Sequence, residues 1–236
     1  MKTKIMAILN ATPDSFYSPS RYQMSILDSG ADIIDIGACS TRPGSSPVGA
    51  AEEWHRLAPV LKSVRDCGIP EISIDTYWSG IIVRACDLLG RPVIANDVSA
   101  GAADPLMLPT VSRLGLKYVA MCRDNAPVDF FRRFSVAAEI AGIRDWILDP
   151  GFGFGKTYEE NWELLHSLDS LRCFGRPILV GVSRKSMIYR KTTSDPGSRE
   201  TLEETLAAQL EAVRRGAEIV RTHDVGATRR SLSGNK

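Results

Sequence analysis

The sequence has few cysteines, and their positions do not suggest that they act together. Five cysteines are scattered among 236 residues without a Cys-x-x-Cys pair. An odd number at irregular spacing argues against both a disulfide framework and a thiolate zinc site. The three histidines add no spacing typical of a tight transition-metal site. Such isolated thiols fit a reducing cytoplasm, where we expect the protein to reside.

Long apolar runs and basic clusters are also missing. The run Ile5–Leu9 stops at Asn10 and is too short for a signal peptide. Every later apolar run is shorter than the roughly 18 residues needed for a membrane helix. Lys and Arg number 29 against 28 Asp and Glu, a formal net charge of +1. We therefore expect no membrane segment and no binding to nucleic acid.

Short β-branched runs alternate with stretches of helical periodicity along the whole chain. This alternation is typical of repeated βα units and a parallel sheet. The predicted strands are Lys4–Leu9, Ile33–Ile36, Ile72–Asp75, Val93–Asn96, Tyr118–Met121, Trp146–Asp149, Ile178–Val182 and Ile219–Arg221. Helical spacing of apolar residues predicts helices over Ala50–Asp66, Ile81–Leu89, Phe130–Ala141, Tyr158–Leu168 and Leu202–Arg215.

Eight βα units in a chain of this length predict a single domain, residues 1–236, folded as a (β/α)8 TIM barrel, although a doubly wound open sheet is the alternative. The residues at the predicted strand ends favour the barrel, since nearly all are polar and a barrel brings them to one mouth. They are Asn10, Asp35, Asp75, Asn96, Met121, Asp149, Ser183 with Lys185, and Arg221 with His223. A single Asp or Asn there commonly caps its own loop, but so many in register indicate a shared pocket.

A glycine-rich segment, Gly151–Thr157, follows the sixth predicted strand. It fits neither nucleotide-binding pattern, because Pro150 stands where a P-loop needs glycine and Lys156 stands where a dinucleotide fingerprint needs its third glycine. We interpret it as a flexible loop whose alternating glycines let a ligand approach the backbone closely. Asp149, just before it, is expected to point into the mouth.

Two other segments, Ser40–Gly44 and Ser183–Ser186, place hydroxyl groups beside cations directly after a strand. Arg and Lys in such positions suit phosphate or carboxylate ligands, although solvated loop charge explains either segment equally well when it is taken alone. His223 adds anion-binding capacity at the end of the eighth strand. We find no spacing that indicates a covalent nucleophile.

Seven segments, in order, resemble the motifs of the dihydropteroate synthase family and span almost the whole chain. They are LNATPDSF at 9–16, DIIDIG leading to STRPG at 32–44, IDT at 74–76, NDVS at 96–99, LDPGFGFGK at 148–156, GVSRKS at 181–186 and HDV at 223–225. Each motif is moderately specific, whereas the complete ordered set is strongly so.

The resemblance implies a barrel enzyme that joins 6-hydroxymethyl-7,8-dihydropterin diphosphate to para-aminobenzoate, giving 7,8-dihydropteroate and pyrophosphate. It implies Mg²⁺ as cofactor, contacted by Asn10 and Asp14, and a homodimer. The implied reaction is dissociative: the diphosphate leaves first, and the aniline nitrogen then attacks a cationic pterin methylene.

The resemblance also assigns roles to individual residues. The implied catalytic residues are Asp75, Lys185, Arg221 and His223. The implied pterin-binding residues are Asp75, Asn96, Met121, Asp149 and Lys185. The implied diphosphate-binding residues are Asn10, Arg42, Arg221 and His223. The implied aminobenzoate-binding residues are Phe16, Thr41, Arg42, Pro43, Phe154 and Ser183.

The chain departs from the family pattern at three positions and in two segments. Cys39 stands where Glu is usual, Trp78 where Lys is common, and Cys122 where His is usual. Residues 16–30 are compressed, leaving only Tyr22–Ser29 for a first helix, and residues 123–143 also look short. We therefore expect a compact barrel with shortened outer helices.

Two alternative functions compete with the synthase. One is a pterin-binding barrel of the methyltransferase type, which would need the pterin carboxylates but not the Thr41-Arg42 and Ser183–Lys185 segments. The other is a non-catalytic pterin-binding or partner-regulating homologue, against which the presence of Asn10, Asp75, Lys185, Arg221 and His223 argues.

Overall fold

The computed structural model describes residues 2–11, 30–39, 48–65, 68, 71–191 and 195–234. Its strands are β1 (Lys4–Asn10), β2 (Ile33–Gly37), β3 (Glu71–Asp75), β4 (Ile94–Asp97), β5 (Tyr118–Met121), β6 (Trp146–Asp149), β7 (Leu179–Val180) and β8 (Ile219–Thr222). Its helices are α1 (Ala50–Val64), α2 (Ser79–Leu89), α3 (Met107–Leu114), α4 (Pro127–Ala141), α5 (Tyr158–His166), α6 (Ser186–Tyr189), α7 (Arg199–Arg214) and α8 (Val225–Ser233). A 3₁₀ helix, Leu168–Phe174, follows α5.

The strands form a nearly closed parallel barrel, which confirms the predicted fold class. Their order is β6-β5-β4-β3-β2-β1-β8-β7, with every pairing parallel. The two ends of this sheet meet at an isolated parallel bridge between Leu148 and Ile178. This closure excludes the open doubly wound sheet. Strand β7 is shorter than the predicted Ile178–Val182, and Ile178 lies just before it in the closing bridge.

All eight predicted strands are present, and each of the five predicted helices has a counterpart. The prediction missed α3, α6 and α8, which are short or contain few apolar residues. The predicted first helix, Tyr22–Ser29, lies outside the described residues. Segment 123–143 holds α4, whose 15 residues make about four turns despite the short segment.

Local sequence signals explain where several helices begin and end. A capping box starts α5: the Glu160 N–H donates to Thr157 Oγ1 at 3.2 Å, and the Thr157 N–H donates to the Glu160 carboxylate at 2.6 Å. Gly90 ends α2 with φ of 64°, a left-handed conformation that suits glycine. No helix in the described part of the chain is long and apolar enough to cross a membrane.

The barrel interior changes from apolar to polar along the strands. One buried cluster consists of side chains from every strand except β3: Met6, Ile33, Ile94, Val119, Ile147, Leu179 and Ile219. Each is worth about 1.5 to 3 kcal/mol when fully buried. Because successive side chains alternate between faces, the residues two positions later also point inward. From β2 and from β4 to β8 these are Asp35, Asn96, Met121, Asp149, Gly181 and Arg221. The carboxyl end of the barrel is therefore the polar end.

Candidate active site

Arg221 lies between two carboxylates at the polar end of the barrel. Its Nε donates to Asp35 Oδ2 at 2.6 Å, and its Nη2 donates to Asp75 Oδ2 at 3.1 Å. Burial lowers the pKa of Arg221, but Asp35 and Asp75 more than offset this effect and leave it raised. One guanidinium between two carboxylates leaves this group with an excess of negative charge.

Asp75 has one carboxylate oxygen that Arg221 does not contact. Its Oδ1 is buried and has no hydrogen-bond partner among the described residues. Burial and the neighbouring Asp35 carboxylate raise the pKa of Asp75 to about 7, against the effect of Arg221. A Cβ at Gly37 would lie 3.3 Å from the Asp75 Cβ, so a glycine at the end of β2 leaves room for this side chain. Asp75 is thus poised to interact with a cation.

Asp35 orients the neighbouring Asn96. Asp35 is fully buried, and the Asn96 Nδ2 lies 3.1 Å from each of its carboxylate oxygens. A carboxylate only accepts hydrogen bonds, so it holds the amide nitrogen of Asn96 toward itself and turns the amide oxygen away. Asn96 is thereby fixed as a hydrogen-bond acceptor for a ligand.

Asp149 and Lys185 bring opposite charges to the mouth, and each shifts the pKa of the other. Asp149 Oδ1 accepts the Gly151 N–H at 2.8 Å, whereas no described residue donates to its Oδ2. Burial raises the pKa of Asp149, and the charge of Lys185 opposes that rise. Burial lowers the pKa of Lys185 to about 8, partly offset by Asp149. The Lys185 ammonium donates to the Phe152 carbonyl and lies 4.8 Å from the centre of the Phe154 ring.

Ser183 and His223 contact each other directly. Ser183 Oγ and His223 Nδ1 are 3.1 Å apart, and the backbone N–H of His223 donates to the same hydroxyl at 3.2 Å. The nearby Arg184, by contrast, forms a bidentate ion pair with Asp224 at 2.8 and 2.9 Å. Of the two cations in segment 183–186, Lys185 therefore lines the mouth and Arg184 serves local structure.

Of the other predicted site residues, two lie in the described part of the chain and five lie outside it. Met121, 2% exposed, lies in register with Asp149, while Asn10 is partly buried at the end of β1 opposite Gly37. Asp14, Phe16, Thr41, Arg42 and Pro43 lie outside the described residues.

The mouth offers few ligands for Mg²⁺ among the described residues. No cluster of three or more His, Cys, Asp or Glu side chains that could hold a metal occurs in the described ranges. Mg²⁺ usually needs only one or two protein ligands when a substrate phosphate supplies others. Asn10 offers one neutral oxygen donor at the end of β1, so the described residues fit an ion shared with a phosphate ligand and do not fit a permanent metal centre.

The three single-residue departures do not fill the mouth. Cys39 is buried, and burial raises the pKa of its thiol. Burial raises the pKa of Cys122 to about 11, and its Sγ lies 3.4 Å from the Asp124 carbonyl. Trp78 precedes α2 and packs partly buried against the core.

Sequence reasoning assigned no role to three residues that the structure connects to the site. Asp35 appeared only among the strand-end residues, although an Asp inside a strongly apolar strand was a usable signal. Lys156 was considered only as part of a failed nucleotide motif. Glu53 is fully buried on α1, whereas the adjacent Glu52 is exposed and paired with Arg56. Nothing in the sequence distinguishes these two neighbouring glutamates.

Comparisons with known proteins agree with this geometry. A family model described as "Pterin binding enzyme" matches residues 6–223. The chain is 39% identical to a dihydropteroate synthase of Neisseria meningitidis serogroup B, with 98% of this chain and 91% of that protein covered. It is 38% identical to a probable bifunctional folylpolyglutamate synthase/dihydropteroate synthase of Haloferax volcanii, covering 94% of this chain but 29% of that longer protein. A solved structure of Xanthomonas albilineans dihydropteroate synthase with 4-aminobenzoic acid gives a TM-score of 0.90 at 34% identity, covering 99% of this chain and 92% of that one.

Proposed function

The chain belongs to the dihydropteroate synthase family of pterin-binding enzymes, and from that membership we propose how it joins 6-hydroxymethyl-7,8-dihydropterin diphosphate to para-aminobenzoate. The observation that carries the proposal is the pairing of two fixed acceptors at one end of the barrel. These are Asp149 Oδ2, which no described residue occupies, and the amide oxygen of Asn96, which Asp35 turns away from itself.

The two acceptors suit the hydrogen-bonding edge of a pterin. That edge presents ring N–H and amino groups as donors and a carbonyl as acceptor. Asp149 and Asn96 accept from the donors, and the Lys185 ammonium donates to the carbonyl. Met121 lies against the ring, since it points inward beside Asp149. An aromatic ring with donors on one edge is therefore the ligand class that fits this end of the barrel.

Asp75 and Arg221 act on the charge that changes during the reaction. The bond between the pterin methylene carbon and the diphosphate oxygen breaks first, and its electron pair leaves with the diphosphate. The pterin becomes cationic, and Asp75 stabilises that cation because its Oδ1 is buried beside the ring without another partner. Arg221 and His223 bind the departing anion. The aniline nitrogen then bonds to the methylene carbon and loses a proton to solvent or to the released diphosphate.

The diphosphate end also fits a divalent cation. Asn10 and Asp14 would hold Mg²⁺ together with the diphosphate oxygens. When bound, Mg²⁺ supplies positive charge that favours departure of the diphosphate.

The aminobenzoate end is proposed to combine residues from several strand ends. Phe154 supplies an apolar wall, and Ser183 a hydroxyl close to His223. The resemblance adds Phe16, Thr41, Arg42 and Pro43 at this end. It also supports a homodimer, and the scattered cysteines support a reducing cytoplasm; light scattering of the purified protein would test the dimer.

A pyrophosphate-release assay tests the proposed function. With Mg²⁺ and both substrates, we expect equal amounts of pyrophosphate and dihydropteroate. With the pterin diphosphate alone, we expect slow pyrophosphate release, because departure of the diphosphate precedes attack by the amine. Release of no pyrophosphate under either condition would favour the non-catalytic homologue. Methyl transfer from methyltetrahydrofolate to a corrinoid, without pyrophosphate release, would favour the methyltransferase.

Ser183→Ala tests the order of the two steps. The substitution should weaken the use of aminobenzoate far more than it slows pyrophosphate release in single-turnover experiments. Equal slowing of both steps would contradict the dissociative order.

A further inference from the structure

Lys156 donates hydrogen bonds to three backbone carbonyl groups and to no side chain among the described residues. Its Nζ lies 3.2 Å from the Cys122 oxygen, 3.1 Å from the Gly151 oxygen and 3.3 Å from the Phe154 oxygen. An ammonium group has three N–H donors, so one bond to each carbonyl uses all of them. The arrangement lies at the edge of the active site but has no part in the mechanism proposed above.

The three carbonyls belong to two different loops that meet at the mouth. Cys122 directly follows β5, whereas Gly151 and Phe154 lie in the glycine-rich loop after β6. The two loops touch so closely that a Cβ at Gly151 would lie 1.9 Å from the Cys122 oxygen. Gly151 therefore permits the contact, and Lys156 holds it in place. The loop predicted to be flexible is tied to its neighbour at several points.

The loop after β6 contacts both charged residues that are proposed to bind the pterin, Asp149 and Lys185. The backbone N–H of Gly151 binds the Asp149 carboxylate, and the Phe152 carbonyl accepts from Lys185. A Cβ at Gly153 would lie 3.0 Å from the Lys185 Cδ, so the loop also packs along that side chain. A shift of the loop would therefore move both Asp149 and Lys185.

We propose that Lys156 is a positioning residue for pterin binding, which fixes Asp149 and Lys185 by clamping the loops after β5 and β6 together. The inference rests on the proposed function, since it concerns the same pterin site. Lys156 itself does not touch the substrate. Arg would not replace it, because a planar guanidinium cannot direct its donors to three carbonyls converging on one point.

Equilibrium binding of 6-hydroxymethylpterin tests this role, because that ligand carries the ring without a reactive diphosphate. Lys156→Ala should weaken its binding by about tenfold or more, as expected when binding groups shift by a fraction of an ångström. Lys156→Met, which keeps most of the apolar stem, should show a similar loss. The matched control is Lys117→Ala, which removes a lysine paired with Glu71 at the opposite end of the barrel. It should bind the pterin like the wild type.

Chemical rescue separates positioning from a general structural role. n-Propylammonium matches the three methylenes and the ammonium that Lys156→Ala removes, so adding it should restore pterin binding. Tetramethylammonium has the same charge but no N–H donor and should not restore it. Neither ion should affect the wild type.

Three results would overturn the inference. Pterin binding by both Lys156 variants at wild-type affinity would show that the clamp is not needed. A loss that n-propylammonium does not reverse in a folded Lys156→Ala protein would show only a structural role. Failure of the wild type to bind the pterin would overturn the proposed function itself, and the inference with it.

Discussion

Replacing Glu53 with Gln should change the pH dependence of folding stability. Glu53 lies in the first turn of α1 and is fully buried, and neither of its carboxyl oxygens has a hydrogen-bond partner among the described residues. Burial raises its pKa to about 7 from an ordinary value of 4.5, although the nearby Thr76 hydroxyl and the Arg56 guanidinium oppose this rise. The folded chain therefore binds this proton more tightly than the unfolded chain does.

The sign and size of the effect follow from this difference. A carboxyl group with a raised pKa contributes most stability below its unfolded pKa, and that contribution is lost as the pH rises through the folded pKa. The difference between about 7 and 4.5 corresponds to about 3 kcal/mol at about 1.4 kcal/mol per pKa unit. Between about pH 5 and pH 8.5, ionisation of Glu53 should cost the wild type about 2 to 3 kcal/mol.

Urea denaturation of the wild type and Glu53→Gln at these two pH values measures the effect. Between these two pH values, the free energy of unfolding should fall by about 2 to 3 kcal/mol more for the wild type than for the variant. Any stability that Gln itself costs is the same at both pH values and therefore cancels. Glu52→Gln is the matched control, because Glu52 is the adjacent, half-exposed glutamate paired with Arg56. The free energy of unfolding of this control should change between the two pH values as much as that of the wild type. The same change in Glu53→Gln would refute the reasoning.

Three further predictions concern the active site. Asp149→Asn should weaken 6-hydroxymethylpterin binding by about 1 to 3 kcal/mol, because an amide donor then faces a ligand donor; unchanged affinity by calorimetry would contradict the assignment. EDTA should abolish turnover but leave the melting temperature nearly unchanged, since Asn10 and Asp14 are too few ligands for a structural metal; a large drop in melting temperature would indicate a structural ion. The profile of kcat/KM against pH should fall below about pH 7, where Asp75 becomes protonated, and above about pH 8, where Lys185 loses its proton. A flat profile across this range would show that neither Asp75 nor Lys185 takes part in catalysis.

The order of the strands and the inward-facing residues could be predicted from the sequence. Repeated βα units give a barrel, and side-chain alternation places Asn96, Asp149 and Arg221 at its mouth. Each lies two positions after an apolar residue of the interior cluster, so the change from apolar to polar is visible in the sequence itself. Residues at strand ends are predictable because the backbone alone determines which way they point.

Residues whose role depends on contacts distant in sequence could not be predicted in this way. Asp35 acquires its role from Arg221, 186 positions away, and from Asn96, 61 positions away. Glu53 lies on a helix where its spacing resembles that of any amphipathic glutamate. Lys156 binds backbone carbonyls, which have no sequence signature at all. The missing information is three-dimensional contact, and local patterns do not contain it.

The group of Asp35, Arg221 and Asp75 is difficult to explain by stability alone. Removing charges from water costs free energy that a buried ion pair often fails to recover, and apolar replacements of similar volume are commonly as stable or more so. Here one cation faces two carboxylates, so the group carries excess negative charge whenever Asp75 is ionised. A cationic ligand would balance that charge at the unpartnered Asp75 Oδ1. The charges that cost the fold free energy are therefore those that favour a pterin from which the diphosphate has departed.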